Sequence, residues 1–246
     1  MSPCGAFRSP GPPRRVVSLV PSLTEAVART VPDVLVGATD WCVEPAGLDV
    51  LRVGGTKYPD LDRVRSATPD LVLANAEENR REDVAALRAS GVPVWVTYPR
   101  TLDAALASLE RLLTALGATD PPWLRSAREA WSEPFTGVRR RALIPVWRRP
   151  WVVLGADTFA GDLLARLGVD NVYATAAERY PRPPLADLRA AGADLVVLPD
   201  EPYAFTADDG PEAFPGLPSA LVSGRHLTWY GPSLAQARAV LSETLL

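Results

Sequence analysis

The chain has 246 residues, of which 47% are hydrophobic, with a net charge of −3 and a pI near 5.3. That is enough apolar material for one large domain or two lobes of roughly 100 to 120 residues each. It leaves no basic footprint for nucleic acid, and no stretch reaches the ~18 apolar residues of a membrane span.

The first residues, "MSPCGAFRSPGPPRR", are rich in Pro and Gly and lack the apolar core of a secretory or lipoprotein signal. Residues 1–13 are expected to be a disordered leader, and the product is expected in the cytoplasm; an extracytoplasmic location would require a miscalled start or a removed leader. Two cysteines, Cys4 and Cys42, do not make a disulfide framework.

From Arg14 onward, short apolar runs alternate with helical patterns. Strands are expected at 16–20, 34–38, 70–74 and 93–97, with helices at 23–30, near 60–67 and at 80–90. Ser22 and Thr24 are placed to cap the first helix, and Gly91 stops the third. Residues 71–74, Leu-Val-Leu-Ala, form the continuous apolar run that a strand covered on both faces needs. The polar run from Asn75 to Asp83 follows it, at the strand end where open α/β sheets bind ligands. Within that run, Asn79 with Glu82 three residues on reads either as a capping pair or as part of a polar ligand clamp.

Leu102, Ala105, Leu106, Leu109, Leu112, Leu113 and Leu116 keep helical spacing, and Gly117 and Pro121-Pro122 then interrupt and restart the helix. The remainder repeats the first order, with strands at 142–146, 194–198 and 219–222 and helices at 160–167, 184–191 and 233–245. "RRVVSLVPS" is echoed by "RRALIPVW", and "TPDLVLANAEE" by "GADLVVLPDEP", about half the chain length further on. Two similar α/β units in tandem account for the offset. The expected organisation is a leader (1–13), an N-terminal lobe (14–100), a helical linker (101–138) and a C-terminal lobe (139–246).

Seven tryptophans accompany a single histidine, His226, too few to build a zinc site. Trp41, Trp147, Trp151 and Trp229 all fall at or just past expected strand ends. There they either stack on a planar macrocycle or an aromatic siderophore, or plug the seam between lobes. Asp40, Cys42 and Glu44 alternate and would share one side of an extended segment, either to hold a metal or a ligand-borne cation or with Cys42 as a small buried residue. Gly54-Gly55 before Thr56-Lys57 permits close backbone approach to a ligand, or is a plain tight turn. Arg139-Arg140-Arg141 and Arg148-Arg149 read as solvated element ends.

Three segments together, "VVSLVPSLTEAV", "VGGTKYPDLDRVRSATPDLVLANAEENRREDVAALRASGVPVWVT" and "GVDNVYATAAERYPRPPLADLRAAGADLVVLPDEPY", resemble the helical-backbone metal receptor family over residues 14 to 245. These are the cobalamin- and iron-siderophore-binding proteins of ABC importers. The resemblance implies two Rossmann-like lobes with parallel sheets joined by a helical backbone, a class III periplasmic-binding-protein-like α/β fold. It also implies a ligand in the cleft, no catalytic residue, no resident metal or cofactor, and an ABC transporter permease as partner. Asn75 stands where cobalamin-binding members carry a stacking Trp. Arg81, beside Glu82, stands where they carry a docking Glu, and the region of Trp229-Tyr230 matches a Trp-containing loop whose docking Glu is absent. Pro134 and Gly137 interrupt the joining helix.

The expected ligand-binding residues are Trp41, Asn75, Glu77, Trp147, Trp151, Tyr180, Glu201, Tyr203, Trp229 and Tyr230, and the candidate ligand is cobalamin, another corrinoid or an iron chelate. Trp41, Tyr180, Trp151, Trp229, Glu77, Glu201 and Tyr203 are expected to share one concavity in a monomeric protein that neither binds nucleic acid nor inserts in a membrane. The competing readings are a cytoplasmic α/β enzyme and an interaction protein that kept the fold and lost the ligand. No nucleophile elbow, paired His and Asp, or phosphate loop supports the enzyme.

Overall fold

The computed structural model describes residues 11–245, so Cys4 and most of the expected leader lie outside the described residues. Contacts divide the chain into two compact units. The first holds the residues up to Pro99 together with Ala105–Arg125 and Tyr230–Pro232; the second holds Arg100–Ala104, Ser126–Trp229 and the chain from Ser233 on.

The first unit begins β1 (Val16–Ser18), α1 (Pro21–Ala28), β2 (Leu35–Ala38), β3 (Leu51–Arg52), α2 (Leu61–Ser66), β4 (Leu71–Asn75), α3 (Arg81–Ala89) and β5 (Val94–Thr97). Its strands form one sheet in the order β3-β2-β1-β4-β5, parallel throughout. Parallel neighbours need a crossover to return the chain, and the helices between strands supply it. All five residues of β4 are buried, as its unbroken apolar run requires. Val17, Leu19, Val53, Val64, Val72 and Leu87 form a core beneath it.

The start of α1 differs from expectation. Neither Ser22 nor Thr24 caps it: the N-cap is Val20, without a side-chain cap, and Pro21 opens the helix. Proline there forgoes an N–H that would have no intrahelical partner. The Thr24 hydroxyl instead donates to the Val20 carbonyl at 3.0 Å.

Residues 101–138 carry α4 (Leu102–Ala115) and α5 (Pro122–Ala130) rather than one unbroken helix. Gly117, at φ +86°, ends the first of them. The second unit then runs β6 (Arg140–Leu143), β7 (Pro145–Trp147), β8 (Val152–Val153), α6 (Phe159–Arg166), β9 (Val169–Asn171), α7 (Leu185–Arg189), β10 (Leu195–Pro199), β11 (Ser219–Val222), α8 (Gly224–Thr228) and α9 (Leu234–Leu245). Its parallel sheet has the order β11-β10-β6-β9, and β7 and β8 make a separate antiparallel hairpin. The single strand expected at 142–146 is thus the end of β6 and the start of β7.

The sequence echo has a structural counterpart. In the first unit the Asp70 carboxylate accepts the backbone N–H groups of Arg14 (2.8 Å) and Arg15 (3.0 Å). In the second, Asp194 accepts the N–H of Arg141 at 2.9 Å. Each acid pins the entry of one parallel strand to that of its neighbour. Among the described residues, no helix is long and apolar enough to cross a membrane.

Candidate functional site

The polar groups at the end of β4 are largely consumed in holding the loop that follows. Asn75 is 3% exposed. Its Oδ1 accepts the N–H groups of Glu77 (2.7 Å) and Glu78 (3.3 Å), while its amide nitrogen donates to the Tyr230 hydroxyl. Tyr230 is also buried, and its hydroxyl lies 2.9 Å from Thr97 Oγ1 at the end of β5. Burial, with Glu78 next in effect, pushes the Tyr230 phenol well above its ordinary range. Asn75 and Tyr230 are therefore brought together as buried, hydrogen-bonded groups.

Asn79 is not a helix cap. The N-cap of α3 is Arg80, without a side-chain cap, and Asn79 turns inward instead. Its Oδ1 accepts the Asn75 N–H at 2.8 Å, and its amide donates to the Thr56 carbonyl at 2.9 Å. An amide both donates and accepts, so it satisfies buried backbone groups of either kind.

Beyond β2 and β3 the first unit presents aromatics to water. Trp41 is 69% exposed and Tyr58 70%. Asp40 is exposed while Cys42 is fully buried, so these alternating residues do not share a face. The Cys42 sulfur receives the Thr24 hydroxyl at 3.0 Å and lies 3.1 Å from Thr39 Oγ1, and burial pushes its thiol pKa up. Among the described residues, no group of three or more His, Cys, Asp and Glu is placed to hold a metal.

In the second unit the end of β10 carries acids rather than amides. Asp200 Oδ1 accepts the Gly224 N–H at 2.6 Å. Glu201 Oε2 accepts the Trp229 indole N–H at 3.1 Å, and the Arg225 guanidinium lies over that indole at 5.6 Å. Burial raises the Glu201 pKa; the Trp229 hydrogen bond opposes this, Asp200 adds to it, and Arg225 also opposes it. Gly224 permits the close approach, because a Cβ there would meet the Glu201 nitrogen at 2.6 Å. His226 Nδ1 pairs with Ser223 Oγ at 2.8 Å.

The β7–β8 hairpin brings Trp147, Trp151 and Tyr203 into one aromatic cluster. Trp147 meets Tyr203 edge-on at 5.6 Å, and Tyr203 contacts Phe205 at 4.6 Å. Trp151 stacks on Phe205 at 6.1 Å and meets Phe214 at 5.3 Å, so it packs on the core while Trp147 stays exposed.

The expectation of a solvated Arg148 is corrected. Its side chain is mostly buried, paired with Asp209 and Glu212 and lying over Trp151. The Tyr203 hydroxyl donates to Asp209 at 2.5 Å, and this bond, ahead of Arg148, lowers the Asp209 pKa. The acids that neutralise Arg148 lie more than sixty residues downstream, so local charge alone suggested a solvated turn. Tyr180 is partly exposed beneath the Arg179 guanidinium, 5.8 Å from its ring. Thr97, which joins the Asn75–Tyr230 network, lies in no motif that marks it in the sequence.

A cavity of about 270 Å³ in the second unit touches none of the expected residues. Its polar walls are already engaged: Asp162 accepts the Leu102 N–H and Arg166, Asp170 pairs with Arg139, and Asn171 donates to the Leu154 carbonyl.

Two α/β units with parallel sheets define the class III periplasmic-binding-protein fold, and solved structures match it over nearly the whole chain. The periplasmic vitamin B12-binding protein BtuF of Vibrio cholerae aligns with a TM-score of 0.79, covering 96% of this chain and 98% of its own at 16% identity. The periplasmic heme-binding protein BhuT, in complex with two hemes, aligns at 0.77, covering 96% and 98% at 23% identity. In sequence, the chain is 25% identical over 181 residues to the vitamin B12-binding protein of Vibrio parahaemolyticus, and 24% identical over 178 residues to that of Yersinia pestis. The alignments cover 70% and 68% of this chain but 65% and 63% of those relatives, so the chain spans less than two thirds of their length. No family model matches the chain.

The resemblance read from sequence agrees with these matches, all of which are named as binding proteins rather than enzymes. The cytoplasmic location expected above is corrected, because the solved neighbours are named as periplasmic. That expectation drew on the lack of an apolar leader, and where a sequence begins does not tell what precedes it.

Proposed function

We propose that the chain is the extracytoplasmic substrate-binding component of an ABC importer, and that it holds a corrinoid or a related metal chelate. The observation that carries this reading is the sequence match to vitamin B12-binding proteins across 70% of the chain. The residues offered suit the chemistry. A macrocycle rimmed by polar groups needs aromatic surface for its faces and hydrogen-bonding groups for its edge.

In this reading the exposed aromatics Trp41, Trp147 and Tyr180, with Trp229, are the candidates to supply area. Glu77, Glu201 and Tyr203 supply polar contacts, while Trp151, Asn75 and Tyr230 hold the loops in place. Arg81, with Glu82 beside it, stands where the resemblance puts a docking Glu. The test is isothermal titration of the purified chain with cyanocobalamin, dicyanocobinamide, hemin and a ferric hydroxamate siderophore. Saturable one-to-one binding of a corrinoid at micromolar affinity or tighter is expected. Binding of hemin or the siderophore alone would replace the corrinoid with that chelate, and a folded chain that binds none of the four contradicts the reading.

A further inference from the structure

Arg148, in the turn of the β7–β8 hairpin, keeps only 17% of its side chain exposed and is paired with both Asp209 and Glu212, from the loop of residues 203–214 that follows β10. Taking a guanidinium out of water is offset only where its partners are well placed, and an apolar contact of similar volume would join the two segments at least as strongly. What the forked cation adds is direction, because its planar donors fit few placements of two carboxylates. The loop is shaped to meet it. The Thr206 N–H donates to the Asp209 carbonyl at 3.1 Å, and the Asp209 N–H returns to Thr206 Oγ1 at 3.1 Å. Glu212 Oε2 accepts the Gly210 N–H at 2.6 Å, and Arg189 Nε donates to the Ala213 carbonyl at 2.7 Å.

Arg148 thereby closes two circuits of contacts within the second unit. In the first, Arg148 holds Asp209, Asp209 accepts the Tyr203 hydroxyl at 2.5 Å, and Tyr203 meets the ring of Trp147 edge-on at 5.6 Å, Trp147 being the residue before Arg148 in the chain. In the second, the guanidinium lies 5.3 Å from the centre of Trp151, Trp151 stacks on Phe205, and Phe205 returns to Tyr203 at 4.6 Å. A chain of contacts open at one end leaves its last member free to turn, and a closed circuit does not. Trp147 is the one exposed member of either circuit, with 44% of its surface open. Aromatic surface already held in one orientation incurs little ordering cost on binding, which adds to affinity.

We infer that Arg148 is a positioning residue for ligand binding: by clamping the 203–214 loop to the β7–β8 hairpin it presets the exposed ring of Trp147 for the chelate. The inference rests on the proposed function, because it takes Trp147 as a ligand contact, and it adds the groups that hold that contact, Arg148 with Asp209 and Glu212 as its two anchors. Arg148 acts through the tryptophan beside it, so its effect on binding vanishes where that ring is absent. Its neutral counterpart would keep the hairpin and lose the preset orientation.

The test combines isothermal titration with amide hydrogen exchange on the parent chain and on Arg148→Gln, Arg148→Lys, Asp209→Asn, Trp147→Ala and Trp147→Ala/Arg148→Gln, with thermal unfolding of each. The titrant is whichever of cyanocobalamin, dicyanocobinamide, hemin and a ferric hydroxamate siderophore the parent binds. Arg148→Gln is expected to weaken binding about tenfold, and Arg148→Lys, a point charge without the fork, and Asp209→Asn about threefold each. Without ligand, peptides spanning 203–214 should exchange faster in Arg148→Gln than in the parent, and saturating ligand should restore their protection. The double variant should bind within about twofold of Trp147→Ala alone, because the two residues act as one unit. Losses that multiply in the double variant overturn the inference, since Arg148 then acts on the ligand without Trp147. Protection that ligand does not restore marks a clamp of the fold alone and overturns it too. Parent-like affinity in Arg148→Gln and Asp209→Asn overturns it and leaves the proposed function standing; if Arg148→Gln does not fold, Arg148→Lys and Asp209→Asn decide the same question. A folded parent that binds none of the four overturns the proposed function and this inference with it.

Discussion

The two units share one plan and use the end of their central strand in opposite ways. In the first, β4 ends in an amide, Asn75, which is buried and joined to Tyr230 and to the N–H groups of the next turn. In the second, β10 leads to Asp200 and Glu201, which accept one backbone N–H and one indole N–H. An amide can close a network of donors and acceptors and so can be fully enclosed. A carboxylate only accepts and resists losing water, so it stays nearer the surface. The aromatics are divided likewise: Trp41 and Tyr58 stand out from the first unit, whereas the second gathers Trp147, Trp151 and Tyr203 around Phe205. The two units thus resemble each other in their parallel strands and differ at the strand ends.

The largest expected effect lies in the second unit's cluster. Trp151→Ala removes an indole packed on Phe205, Phe214 and Arg148, and should cost about 3 kcal/mol in urea unfolding. A cost below that of Trp41→Ala, at an exposed site, would break the division drawn between the units. Next comes the first unit's amide. Asn75→Ala leaves the N–H groups of Glu77 and Glu78 without this acceptor and removes a donor to Tyr230, at a cost of about 2 kcal/mol by the same measurement. Moving Tyr230 to a wetter environment should also change its near-ultraviolet circular dichroism.

The repeated acids permit a matched test. Asp70→Ala should cost about 1.5 kcal/mol and Asp194→Ala about 1 kcal/mol, because Asp70 receives two entry N–H groups where Asp194 receives one from its arginine pair. Neutral results for both would show that the echoed acids carry no energetic weight.

That echo was legible because it is local: an acid followed by a buried apolar run announces its strand by composition. The parallel order of both sheets followed from the alternation of strands and helices. The β7–β8 hairpin was not legible, since Trp147-Arg148-Arg149-Pro150-Trp151 reads as a charged turn until Asp209 and Glu212 arrive from a distant loop. The inward turn of Asn79 was hidden for a similar reason. Its partner at Thr56 comes from another loop, whereas the capping pattern is written within four consecutive residues.

The smallest expected effect concerns pH. Burial raises the Glu201 pKa above its unfolded value, so the folded state binds a proton more tightly than the unfolded chain. Its contribution to stability is therefore greatest below the unfolded carboxyl pKa and declines as pH rises through the interval up to the folded one. Glu201→Gln keeps an acceptor for Trp229 and should remove that decline, measured as the difference in melting temperature between parent and variant from pH 4 to pH 8. Parallel curves would show that Glu201 titrates as a solvated acid does.

The proposed function rests on exposed strand-end aromatics binding a metal chelate. Its most direct test is isothermal titration of cyanocobalamin into the parent chain and into a Trp41→Ala/Trp147→Ala double variant, both of which are exposed positions whose loss should leave melting nearly unchanged. The account predicts saturable one-to-one binding by the parent and affinity at least about tenfold weaker in the double variant. Equal affinities in the two proteins, or no saturable binding by a folded parent, would contradict it.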